Sequence, residues 1–129
     1  MFNMSYKNGL LYATVELKYE NKMVAVNDVI IDTGASHTII LTDYLEYLDI
    51  PLFDDDELVK SSGYGGVQFS AIRKKISNVS VGDISIDNMK IDFGLIDPYE
   101  RVNGLIGLDF LLNAGVIIDL SNLSAYKNR

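Results

Sequence analysis

Apolar positions recur with a period of two along most of the chain. Leu10 to Tyr19 (LLYATVELKY) alternates roughly, Glu20-Asn21-Lys22 interrupts it, and Met23 to Ile31 follows as a second strand, which together predict a β-hairpin. His37 to Leu41 is β-branched and apolar. Thr42 has the form of an N-cap, with Asp43 in the first turn of a short helix that ends before Asp49-Ile50-Pro51. Phe53 to Glu57 is an acidic loop. Leu58 to Ile76 holds SSGYGG between β-prone flanks, which predicts a long hairpin with a glycine tip. Val79 to Phe93 alternates again, with turns expected near Gly82-Asp83 and Asp87-Asn88. Asp97-Pro98 marks a loop. Asp109 is placed to cap a second short helix, FLLNA, closed by Gly115. VIIDL then reads as a final buried strand before the tail SNLSAYKNR.

Strands dominate, with two short helices and no linker or low-complexity tract. The expected architecture is one mainly β domain over residues 1–129, a closed, barrel-like sheet system. A faint two-fold echo accompanies it. Strand, tight glycine turn and short helix occur around Asp32 and again around Gly107.

Composition narrows the function classes. With 129 residues and 48% hydrophobic content the chain can bury a real core. Its net charge of −7 argues against a nucleic-acid partner, which wants a basic face. The absence of cysteine excludes disulfides, thiolate chemistry and cysteine-zinc sites, and a single histidine, His37, disfavours a histidine-based metal site or a Ser-His-Asp triad. The segment MFNMSYKNGLL lacks the basic-then-apolar order of a signal peptide. The most apolar stretch, Gly104 to Leu120, is interrupted by Asp109, Asn113 and Asp119, so no membrane span is expected. Cytoplasm is the default location.

The candidate chemistry lies in VIIDTGASHTII, Val29 to Ile40. A given tripeptide occurs by chance in a chain this size about 1–2% of the time, so Asp32-Thr33-Gly34 needs its context. Val29-Ile30-Ile31 supplies a buried strand, Gly34 permits positive φ, and Ala35-Ser36 keeps the turn small. The carboxylate of Asp32 would be held rigidly at a strand end and aimed outward. The plain alternative is an ordinary strand-ending turn, where Asp, Thr and Gly are common. Two further segments bear on the choice. SGYGGV, Ser62 to Val67, would cap a hairpin whose glycine N–H groups could approach a bound chain. GLIGLDFL, Gly104 to Leu111, places two apolar residues before Gly107 and a helix.

In this order and at these separations the three segments resemble the retropepsins, the single-domain aspartic proteases. The resemblance runs from about Leu10 to Tyr126. It implies the retropepsin (acid protease) fold and endopeptidase activity without cofactor or metal. Pepsin-like enzymes carry two Asp motifs, and this chain has no second Asp-Thr-Gly or Asp-Ser-Gly. The resemblance therefore implies a homodimer with one Asp32 from each copy on the two-fold axis. Catalysis would rest on Asp32, Thr33 and Gly34, with Thr33 bonding across the axis. Substrate would meet Ala35, Ser36 and His37 on the floor, Gly63, Tyr64, Gly65 and Gly66 on a flap, and Leu105 and Ile106 on an apolar wall. The partners implied are a second copy and a protein or peptide substrate, with no membrane. Ser36 stands where retroviral enzymes commonly carry Asp, and Tyr64 is bulkier than the usual flap-tip aliphatic. The rival reading keeps the fold without turnover, as a catalytically silent dimerisation or peptide-binding module.

Ala35 yields a first prediction. Pepsin-like enzymes often carry Ser or Thr there, whose hydroxyl can stabilise an ionised carboxylate pair, and Ala has none. Activity is expected from mildly acidic to near-neutral pH. In Ala35→Ser the acid limb of the pH–rate profile should move lower; an unmoved limb in a well-folded variant refutes this account.

Overall fold

The computed structural model describes residues 1–62, 68–96 and 102–128. Two short strands, β1 (Phe2–Asn3) and β2 (Ser5–Lys7), precede the expected hairpin of β3 (Leu10–Tyr19) and β4 (Lys22–Ile31). Next come β5 (Ile39–Leu41), helix α1 (Asp43–Tyr47), β6 (Glu57–Ser62), β7 (Gln68–Val81) and β8 (Ile84–Gly94). The chain ends with β9 (Gly104–Ile106), helix α2 (Leu108–Asn113), β10 (Val116–Asp119) and β11 (Ser124–Lys127). The architecture is mainly β with two short helices, as expected.

The larger sheet has the order β2-β3-β4-β9-β5-β8-β7-β6, and β3 also pairs with β7. That last pairing closes a ring, β3-β4-β9-β5-β8-β7. Within the ring, β9 lies parallel to β4 and antiparallel to β5, with Ile30 opposite Leu105 and Leu105 opposite Ile39.

This centre explains why the sequence abandons alternation there. Val29-Ile30-Ile31, Ile39-Ile40-Leu41 and Leu105-Ile106 are all buried because both faces of the three strands are covered. Val29, Ile31, Ile40 and Ile106 join the main core, around Phe93 and Phe110. Ile30, Ile39 and Leu105 face a smaller cluster with Tyr12, Ala71, Ile96 and Val102. Each such fully buried aliphatic side chain contributes about 1.5–3 kcal/mol relative to exposure. The strand on which Asp32 is mounted is thereby anchored on two sides.

Four expectations change. No turn forms at Asp87-Asn88; β8 runs straight through, with Asn88 at φ 54°. The inward positions change phase there instead. On β7 they pass from Lys74 and Ile76 to Val79 and Val81, and on β8 from Ile84 to Met89, Ile91 and Phe93. Both strands shift at one level, between the pairs Ile76↔Met89 and Asn78↔Asp87, so the hairpin continues. Thr42 makes no side-chain cap bond. Its own backbone is helical (φ −54°, ψ −32°), and its carbonyl accepts from Leu45 N–H at 3.0 Å.

Asp109 is not the N-cap of α2. Extended Gly107 holds that position, and Asp109 falls in the first turn. Finally, VIIDL is not buried. β10 pairs only with β11 in a second sheet, β1-β11-β10, where Ile117 is 39% exposed and neighbouring Leu120 is 66% exposed. Its outer edge has no strand beside it among the described residues. The glycine-rich hairpin tip lies outside the described residues.

The acidic loop is tied to the ring. Asp56 bonds Lys74 on β7, whose side chain is nearly buried, and accepts Phe53 N–H at 2.7 Å. The Lys74 hydrogen bond, and then the Phe53 N–H, hold the Asp56 carboxyl below its ordinary range. A carboxyl depressed in the folded state stabilises above its unfolded pKa, and this is lost as pH falls through the folded value. Asp56→Asn should therefore lower the urea midpoint at pH 7, and the gap from wild type should close as pH is lowered below the ordinary carboxylate range. A gap that persists in acid refutes the ion-pair account.

Candidate active site

Buried β4 delivers Asp32 to the surface. Its backbone N–H donates to Ile106 O at 2.9 Å, the last tie to the ring before the chain turns. Ala35 N–H donates back to Asp32 O at 3.2 Å, closing the tight turn. The carboxylate is half-buried. Its Oδ1 accepts Gly34 N–H at 2.8 Å, and among the described residues no side chain bonds Oδ2. One oxygen is thus oriented by the loop and the other is open.

Gly34 serves a different purpose from the one expected. It is not among the positive-φ glycines. A Cβ there would lie 3.2 Å from Asp32 Oδ1, so a side chain would crowd the carboxylate's bond to the Gly34 N–H. Closeness, rather than handedness, calls for glycine.

The rest of the loop is clamped by the β9–α2 corner. Leu108 N–H donates to Ala35 O at 2.8 Å and Asp109 N–H to Ser36 O at 3.2 Å. These bonds require the corner to press against the loop backbone. A Cβ on Gly107 would come within 2.7 Å of Ala35 O and 2.9 Å of His37 O.

Thr38 completes the clamp. It is fully buried, and its Oγ1 donates to Asp109 Oδ1 at 2.7 Å while accepting Gly107 N–H at 3.1 Å. Its backbone N–H donates to Asp109 Oδ2 at 2.8 Å. Asp109 Oδ1 also accepts Phe110 N–H at 2.8 Å, so both carboxylate oxygens are engaged. Sequence reasoning missed this role of Thr38 and Asp109. They lie 71 positions apart, and no local signal links them.

The expected site residues divide into three groups. Asp32, Thr33, Gly34, Ala35, Ser36 and His37 share one loop, with Thr33, Gly34, Ser36 and His37 exposed and Ala35 partly so. Leu105 and Ile106 are buried, the first in the smaller cluster and the second in the main core. Gly63, Tyr64, Gly65 and Gly66 lie outside the described residues. Among the described residues no group of three or more acidic or histidine side chains gathers as for a metal ion, and no helix is long and apolar enough to cross a membrane.

A loop of this construction is mounted on a closed β ring and locked by a helix corner. The family model for aspartyl proteases matches residues 15–110, from β3 into α2, and the chain belongs to that family. Its fold matches the crystal structure of a retropepsin-like aspartic protease from Rickettsia conorii, with a TM-score of 0.64 and 19% identity over 92% of this chain and 83% of that one. No curated protein matches the chain.

Thr38→Val keeps the shape and removes the hydroxyl. It leaves Gly107 N–H unpaired in a buried place and strips one donor from Asp109. Loss of about 1–3 kcal/mol is expected in urea unfolding. Thr38→Ser, which keeps both bonds, should retain most of the stability. Equal losses in the two variants would mean that the methyl, not the hydroxyl, matters.

Proposed function

We propose that the protein is an aspartic endopeptidase that works as a homodimer, with Asp32 of each chain sharing one active site. The observation that carries this is the state of Asp32. The carboxylate is fixed by its loop and half-exposed, and it has an open oxygen at the end of a buried strand. One carboxylate alone lacks the acid partner that amide hydrolysis needs, and the sequence contains a single Asp-Thr-Gly. A second copy supplies the partner.

Two facing carboxylates cannot both ionise cheaply, so they hold one proton between them. The ionised Asp32 takes a proton from a water molecule as its oxygen attacks the scissile carbonyl carbon. The protonated Asp32 gives its proton to the carbonyl oxygen. The resulting diol collapses, the C–N bond breaks, and a proton from the pair reaches the leaving amine. Thr33, exposed beside Asp32, would bond its counterpart across the axis. The substrate would lie extended over Gly34, Ser36 and His37 as an added strand.

The second sheet supports pairing of two copies. Among the described residues β10 presents an unpaired edge bearing Ile117, with Leu112 at 72% and Leu120 at 66% exposed. Exposed, apolar strand edges associate readily. Antiparallel pairing of β10 with its own copy would satisfy both the edge and the two-fold axis.

Wild type and Asp32→Asn should be incubated with a proteome-derived peptide mixture at several pH values, and new termini read by mass spectrometry. Cuts made by wild type and lost in Asp32→Asn are the expected result. Ile117→Glu should shift the sedimenting species from dimer towards monomer and lose cleavage with it. No cuts by a wild-type sample that sediments as a dimer would move the reading to a peptide-binding module.

A further inference from the structure

A groove of about 320 Å³ opens where the Asp32 loop and α2 meet the outer face of the β7–β8 hairpin. His37, Arg73, Lys90 and Asp109 line it, with Asn88 and Asn113. His37 belongs to both places. It is five positions past Asp32 in the same loop, and 58% of its side chain is exposed.

The charges in the groove are unequally satisfied. Arg73 Nε and Nη2 donate to the two oxygens of buried Asp92 at 2.7 and 3.1 Å, and Nη1 reaches Glu57 at 3.2 Å. Asp92 is therefore neutralised in place. Asp109 has both oxygens occupied by Thr38 and Phe110, and its Oδ2 lies 4.0 Å from His37 Nδ1. Lys90 has no acidic partner among the described residues. It sits directly opposite Lys75 in the β7–β8 register, and both are exposed. Like charges placed opposite one another in a sheet are destabilising. In a chain of net charge −7, these two bases stand together without an ion-pair partner among the described residues.

We propose that this groove selects substrates carrying an acidic side chain, which Lys90 and His37 receive, with Lys75 adding to the attraction. The inference rests on the peptidase reading, since it takes the substrate over the Asp32 loop and past His37. Ile86, partly exposed in the groove wall, offers an apolar surface for the methylenes of a glutamate. The groove's own acids are already engaged and none of them bonds Lys90: Asp92 and Glu57 are held by Arg73, and Asp109 accepts from Thr38 and Phe110. The two-fold axis would set one such groove on each side of the cut, so the preference should recur at two symmetric substrate positions.

Two readouts test this. Peptides with a single Glu moved through successive positions are compared with their Gln counterparts. Glu is expected to raise kcat/KM about fivefold at one off-centre position and its symmetric mate, the scale of a partly exposed ion pair, and Lys90→Gln should bring that ratio towards one. Separately, His37 is the only histidine, so its ring protons give one NMR signal. In Asp32→Asn, the Glu peptide should shift that signal and raise the pH at which it titrates, and the Gln peptide should not. Identical responses to Glu and Gln overturn the proposal even if no peptide is ever cut. Absence of all cleavage with a Glu-specific His37 shift would instead remove the peptidase reading and leave the acid-binding groove standing.

Discussion

One buried hydroxyl holds the site together. Thr38 Oγ1 donates to Asp109 and accepts from Gly107, which joins the loop after β4 to the corner after β9. The two strands pair over only three residues, Val29 to Ile31 against Gly104 to Ile106. So short a ladder sets a direction but leaves the loop beyond it free to move. The threonine and aspartate continue the pairing past the strand ends by other means. Because the partners are buried or nearly so, water competes poorly for them. The position of the Asp32 loop thus depends on a hydroxyl and a carboxylate outside the Asp-Thr-Gly turn itself.

Much of this was legible in the sequence, and the legible parts share a cause. The β3–β4 hairpin, both helices and the Asp32 turn follow from neighbours in the chain, where period and turn chemistry act directly. The misread parts turn on fine backbone geometry or on distant partners. Thr42 has the side chain of a cap, yet the backbone winds through it. Asn88 resembles a turn residue, and only its companion shift on β7 shows why the strand survives. Gly34 is small for the sake of an oxygen two residues back. Thr38 and Asp109 carry no mark in the sequence at all, because a hydroxyl and a carboxylate 71 positions apart pair only once the ring has closed. β10 misled for the opposite reason. Its apolar run promises a buried strand, and one chain on its own leaves it half-exposed.

Charge is also unevenly distributed. The acidic excess gathers in the loop from Asp54 to Glu57, while Lys75, Lys90 and Arg73 share the outer face of β7–β8. Where an opposite pair falls deep, as with Arg73 and Asp92, it is fully bonded and acts as structure; the Asp92 hydrogen bond holds the guanidinium firmly protonated. Where bases stand in the open, they remain available to other molecules. Burial therefore sorts the same residue types into bonded scaffold and open surface.

The order of strands in the ring has a consequence in time. Asp32 lies in the first quarter of the chain, but the parallel neighbour of its strand begins at Gly104 and the clamp ends at Phe110. Contacts of such long separation form late, and a chain emerging from the ribosome is built from its N-terminus. Until residues 104–110 have been made, the loop that carries the aspartate lacks both its parallel strand and its clamp. The geometry of the Asp32 loop therefore cannot form before the β9–α2 corner exists, whatever the residues next to it in the chain prescribe.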